Sequence, residues 1–217
     1  MISLNLKSTN SKPIKWKYDK DLVPYNTAII KMEDRIQKIY EQKSSELIWL
    51  LEHPSIYTCG TSARKEQILN HTEIPIVNSA RGGQVTYHGP GQRIIYVMLN
   101  LNYRKKDIRG YVKTLENWMI KSLKHFGIKA YTCSNRIGIW ADGPNGESKI
   151  GAIGIRISRW ITYHGISINI DPELSYYKNI IPCGLKDYPV TSFKELGYNY
   201  SMKEFDIIIK KSSKEIF

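Results

Sequence analysis

The 217 residues carry 32 lysines and arginines against 20 aspartates and glutamates, a net charge of +12, and 41% of them are hydrophobic. That length and apolar fraction suit a folded chain with one sizeable core and exclude general disorder, while the charge excess calls for acidic partners. There is no run of about 18 apolar residues to cross a membrane, no apolar signal-peptide block, and the three cysteines are too few and too odd in number for a disulfide framework.

A reducing cytoplasm is the expected compartment. The expected organisation is a single domain over 1–217, with ragged ends near 1–12 and 210–217. Along the chain, Ile29, Met32, Ile36 and Ile39 step by 3, 4 and 3 and predict a first helix. Leu47 to Leu51 is a continuous apolar run of the kind buried on both faces of a sheet, and Ile94 to Leu99 is another. Ile108, Val112, Leu115, Met119, Leu123 and Phe126 predict a stronger helix, with Asp107 to cap its start and Gly127 to follow its end. Three β-rich runs follow, Ile137–Ala141, Ile150–Ile157 and Trp160–Ile170. The turn residues Asp142 to Gly146 make the first two a hairpin, and Ser158-Arg159 connects the third. A weaker helix is expected over Met202 to Lys211. Helices and strands interleave without regular βαβα alternation, which predicts an α+β (mixed α/β) fold with a central sheet flanked by helices.

Four segments carry candidate chemistry. Arg81 to Gln92 (RGGQVTYHGPGQ) holds four glycines among Arg, Thr, Tyr and His. Glycine lets another molecule approach the main chain closely, so the stretch reads as a binding wall. It matches neither phosphate-loop pattern. Tyr87-His88-Gly89 recurs as Tyr163-His164-Gly165, which on neighbouring strands would gather two histidines and two glycines. Cys183, between Pro182 and Gly184, is held where a thiol can be presented, whereas Cys59 and Cys133 read as inert. Lys149 opens a small, apolar run and can point inward, where an ammonium favours a thiolate. No metal site is expected, since no C-x-x-C or H-E-x-x-H is present, and G-x-S-x-G is absent too.

The segments together resemble the octanoyltransferases, also called lipoyl(octanoyl) transferases. Arg81 to Gln92 resembles the family signature, Leu51-Glu52-His53-Pro54 its early strand end, and Lys149 to Arg156 its lysine segment. His164 to Asn169 resembles its His-Gly-Leu-Ala-Leu-Asn run and Pro182-Cys183-Gly184 its nucleophile loop. The resemblance implies the fold of lipoate and biotin protein ligases. It also implies transfer of an octanoyl group from octanoyl-acyl carrier protein to a lysine on lipoyl domains of 2-oxoacid dehydrogenases or on the glycine cleavage H protein.

By the same resemblance Cys183 is the acyl-thioester nucleophile and Lys149 the residue that activates it. The substrate-binding positions are Arg81, Gly82, Gly83, Gln84, Val85, Thr86, Tyr87 and His88, then Ala152, Ile153 and Gly154, then Gly165, Ile166 and Ser167. Ala152 stands where serine is common, and Ile166-Ser167 replace Leu-Ala, changes expected to trim chain-length preference only. Backbone N–H groups near Cys183 or Gly184 are expected to hold the oxyanion, worth about 3 kcal/mol per donor. No cofactor, metal, nucleic acid or membrane is expected, and the protein is expected to be a monomer. An ATP-dependent lipoate or biotin ligase is the alternative within the fold, and a basic nucleic-acid-binding module the alternative from charge alone.

Overall fold

A seven-stranded sheet in the order β1-β2-β6-β10-β9-β8-β7 organises the computed structural model, which describes residues 13–144, 146–184 and 188–217. Its strands are β1 (Lys15–Tyr18), β2 (Leu47–Leu51), β6 (Gln92–Met98), β7 (Ala130–Cys133), β8 (Arg136–Gly143), β9 (Gly146–Ser158) and β10 (Ile161–Asn169). β1 and β2 run parallel and every other pair is antiparallel, so the sheet is mixed. A second sheet of β3 (Ile56–Cys59), β4 (Ile76–Asn78) and β5 (Val85–His88) was not expected from the sequence. Its strands are three or four residues long, too short for alternation to stand out.

The apolar run in β2 is buried at every position because helices cover both faces of the sheet. On one face Ile48, Leu50, Ile95, Val97, Ile139, Ile150 and Ile168 pack with Tyr111, Leu115, Trp118 and Met119 of α2 (Ile108–Lys124) and Phe205 and Ile209 of α3 (Met202–Ser213). On the other, Leu47, Trp49, Leu51, Ile94, Tyr96 and Met98 meet Ala28, Met32 and Ile39 of α1 (Tyr25–Tyr40). The Asp107 carboxylate accepts the Gly110 N–H at 2.9 Å as the N-cap of α2, and Gly127 takes φ +82° beyond its end.

The β8–β9 hairpin forms as expected, although Asn145 of its turn lies outside the described residues. Arg159 and Trp160, both at positive φ, make the two-residue connection to β10.

The C-terminus differs from expectation. It does not fray from Lys210: α3 runs to Ser213, Ile216 is buried, and the Phe217 ring meets Trp118 edge-on at 5.0 Å. The cause is the buried Trp118, whose indole N–H needs acceptors and finds the Ile209 carbonyl at 3.1 Å and Ser212 Oγ at 3.0 Å. The other expected ragged end, residues 1–12, lies outside the described residues.

Candidate active site

The second face of the main sheet, the 81–84 loop before β5 and the Pro182–Gly184 turn enclose a cavity of about 410 Å³. That is within the usual size range of small-molecule sites. Lys149 and Cys183 both line it, with Arg81, Gly82, Gly83, Gln84, Thr86, His88, Ala152, Ile153, Gly154, Gly165, Ile166 and Ser167. Two of the sequence-expected residues do not. Val85 and Tyr87 alternate with Thr86 and His88 along β5, so they point the other way, into a cluster with Tyr57 and Tyr177.

Cys183 sits in a turn anchored upstream, where the Ile181 N–H donates to the Gln67 carbonyl at 2.8 Å. Residues 189–191 pair with Lys149 itself: its N–H donates to the Pro189 carbonyl at 2.8 Å and its carbonyl accepts from Thr191 N–H at 3.0 Å. Cys183 takes φ 54° and ψ 21°, left-handed values that a non-glycine residue rarely adopts and that collect at functional sites. One expectation changes here. The Gly184 N–H donates to the Ile181 carbonyl at 3.1 Å, so it is not free to hold an oxyanion.

Arg81 organises the opposite wall. Its Nη2 donates to the Thr58 carbonyl at 2.7 Å, to Thr58 Oγ1 at 2.6 Å and to the Gln84 carbonyl at 2.9 Å, while Nη1 reaches the Gly82 carbonyl at 3.0 Å. Its buried Nε is left without a partner, and burial pulls the guanidinium pKa below its ordinary value. The loop approaches β9 closely, with the Gly82 N–H on the Ile155 carbonyl at 2.9 Å. A Cβ at Gly154 would stand 3.0 Å from Arg81 Cδ, so a side chain there would crowd the arginine. Among the described residues lining the cavity there is no acid, while Arg81, Arg136 and Lys149 bring three cations.

The echoed tripeptides come together differently from expectation. β5 and β10 belong to different sheets, and their histidines face the same cavity across the gap. His164 takes φ 58°, and its ring stacks on that of its chain neighbour Tyr163 at 5.1 Å and meets Tyr96 edge-on at 6.0 Å. His53 Nδ1 donates to the Val23 carbonyl at 2.5 Å, which leaves its Nε2 to accept from the Tyr96 hydroxyl at 2.7 Å. Gln92 uses its NH₂ toward Asn169 Oδ1 (2.9 Å) and the Tyr177 hydroxyl (2.8 Å), so its Oε1 accepts from His88 Nδ1 at 2.6 Å. The neutral His88 therefore keeps a lone pair on Nε2. Gln92 and Asn169 lie inside the quoted motifs, but nothing in the sequence marks Tyr96, Tyr177 or Tyr25, which also lines the cavity.

Burial pushes all three imidazoles down, His53 to about 4 and His88 and His164 to about 3, with neighbouring positive charge adding to the effect at the last two. This gives an expected acid lability. Above the unfolded histidine value near 6.5 the neutral rings cost nothing. As pH falls below it the unfolded chain binds protons that the folded one refuses, until the folded values near 3 to 4 are reached. Each ring then forfeits about 2 kcal/mol between pH 6.5 and pH 5. Urea melts at pH 7 and pH 5 check this: replacing His53 by Gln should flatten the loss, and an identical pH slope in wild type and variant would count against it.

The profile of the lipoyl protein ligase A/B catalytic domain matches residues 25–213. The octanoyltransferase of Ehrlichia chaffeensis is 51% identical over 205 residues, covering 94% of this chain and 96% of that one. The octanoyltransferase of Bartonella quintana is 43% identical, covering 94% and 87%. Among solved structures, lipoate-protein ligase A bound with ATP superposes with a TM-score of 0.73 at 15% identity, over 93% of this chain and 85% of that one. The biotin protein ligase of Aquifex aeolicus with biotin and ATP gives 0.55 at 15% identity, over 94% and 69%. Those two carry the fold, and the sequence relatives carry the rest: the chain belongs to the lipoyl protein ligase A/B catalytic-domain family and, within it, to the octanoyltransferases.

Proposed function

We propose that this acyltransferase moves the octanoyl group of octanoyl-acyl carrier protein to a lysine of lipoyl domains, those of 2-oxoacid dehydrogenases and the glycine cleavage H protein, through a thioester on Cys183. The observation that carries the reading is the pairing of Cys183, held in a left-handed turn, with the buried Lys149 in one cavity that Cys59 and Cys133 do not line.

The Cys183 thiolate attacks the donor carbonyl carbon, forming one C–S bond, and the tetrahedral intermediate breaks the other. The pantetheine sulfur leaves and takes a proton from Lys149. The acceptor amine then attacks the Cys183 thioester, a C–N bond forms, and the amine proton returns through Lys149 as the Cys183 sulfur departs. Arg81, in the wall of the same cavity, adds positive potential where an oxyanion develops. A cavity whose described lining brings cations and no acid suits a neutral amine rather than an ammonium, and the chain's net charge of +12 steers acidic carrier domains toward it. The acyl chain gains about 0.8 kcal/mol for each methylene buried on the glycine-bordered wall. Thioester exchange needs no ATP, no cofactor and no metal. Every residue used comes from one chain, so a monomer suffices, and a free thiol nucleophile suits the cytoplasm.

The test is transfer from octanoyl-acyl carrier protein to a purified lipoyl domain without ATP, followed by the mass of the acceptor. Gain of one octanoyl unit on the domain is expected. An absolute requirement for ATP, with free octanoate as the donor, would move the reading to a ligase.

A further inference from the structure

Lys149 is placed by a residue on the far side of the sheet. Gly138 of β8 takes φ +134°, and a Cβ there would lie 2.6 Å from Lys149 Cε and 3.1 Å from Nζ, so the lysine side chain occupies the space that the missing side chain leaves. The ammonium stands 5.0 Å from the centroid of the Trp140 ring. β8 breaks register with β9 between Ile139 and Trp140, beside this crossing point. Gly138 has no register partner in β7 or β9. Its N–H donates to Oε1 of Glu116 at 3.2 Å, and Glu116 comes from α2, with only 7% of its surface exposed.

The charged groups acting on Glu116 are Lys113 on its own helix and Lys149 from β9. Arg136 and Cys183 share the cavity with Lys149. A carboxylate buried to this degree and left uncompensated is costly. Burial pushes its pKa up, while the Gly138 N–H and the two lysines pull it down.

We propose that Glu116 is a positioning residue for acyl transfer: it pins Gly138 so that Lys149 can cross it, and its carboxylate serves as the buried counter-charge that keeps the ammonium aimed at Cys183. The proposal rests on the Cys183–Lys149 reading above. Glu116 touches neither substrate nor the reacting atoms and acts through Lys149.

Glu116→Gln keeps an oxygen for the Gly138 N–H and removes the charge. In octanoyl transfer it is expected to lower kcat about tenfold and leave the donor KM nearly unchanged. In a Lys149→Ala background the same substitution is expected to cost nothing further, because its route of action is gone. Glu116→Asp provides a second arm should the glutamine variant fail to fold. It keeps the charge but draws the carboxylate back from the Gly138 N–H, so it too lowers kcat in the native background and adds no loss to Lys149→Ala. An unchanged kcat in Glu116→Gln, a loss confined to KM, or equal losses with and without Lys149 would overturn the proposal. A Lys149→Ala enzyme with native activity would instead sink the mechanism on which it rests.

Discussion

Cys183→Ala is expected to abolish octanoyl transfer, a loss of about a millionfold, the scale seen when an enzyme loses its covalent nucleophile. Cys59→Ala and Cys133→Ala should keep most of the activity. The three cysteines are all partly exposed, so accessibility does not separate them. Position and environment do. Cys59 ends β3, outside the cavity, and burial pushes its thiol up. Cys133 ends β7 with its Sγ 3.4 Å from Glu147 Oε2, and burial together with that carboxylate keeps it protonated. Cys183 alone shares a cavity with a lysine and two histidines. Specific activities of the three variants, with thermal melts to confirm folding, decide the matter; transfer surviving in Cys183→Ala would contradict the assignment.

Lys149→Ala is expected to slow acylation of Cys183 by about 10²- to 10⁴-fold, the usual contribution of a positioned proton donor. The substitution isolates the side chain cleanly. The backbone of Lys149 carries the pairing to residues 189–191, and alanine retains it. Residues 189–191 should therefore stay in place while the cation is removed. Single-turnover acylation of Cys183 at the wild-type rate would show that Lys149 takes no part in the step.

The parts of this fold legible in the sequence are those with enough residues to show a period. α1 and α2 display their 3–4 spacing over four turns or more, and β2 and β6 are apolar along nearly their whole length because both sheet faces are covered. The small sheet escaped notice because β3, β4 and β5 mix polar and apolar residues over three or four positions. Its strand β5 also divides the glycine-rich motif: a contiguous motif predicts a contiguous wall, but a strand shows every second residue to each side, so Thr86 and His88 line the cavity and Val85 and Tyr87 do not. The C-terminal tail read as frayed because Lys210-Lys211-Ser212-Ser213 is polar, yet Ser212 is buried as the acceptor that Trp118 requires.

The same limit applies to the site. Cys183, Lys149 and the glycine-bordered walls were legible because their motifs are local. The link from Glu116 through Gly138 to Lys149 was not, since a glutamate on an amphipathic helix and a glycine in a strand carry no signal until the helix is laid against the sheet.

The central claim is that the octanoyl group rests on Cys183 between donor and acceptor, and the intact mass of the enzyme tests it most directly. After incubation with octanoyl-acyl carrier protein, without ATP and without acceptor, the protein should gain one octanoyl unit. Hydroxylamine should remove that unit, Cys183→Ala should never acquire it, and adding a lipoyl domain should discharge it onto the domain. An enzyme that transfers octanoyl groups to the domain under the same conditions while its own mass stays unchanged, with intersecting rather than parallel double-reciprocal plots, would contradict the account.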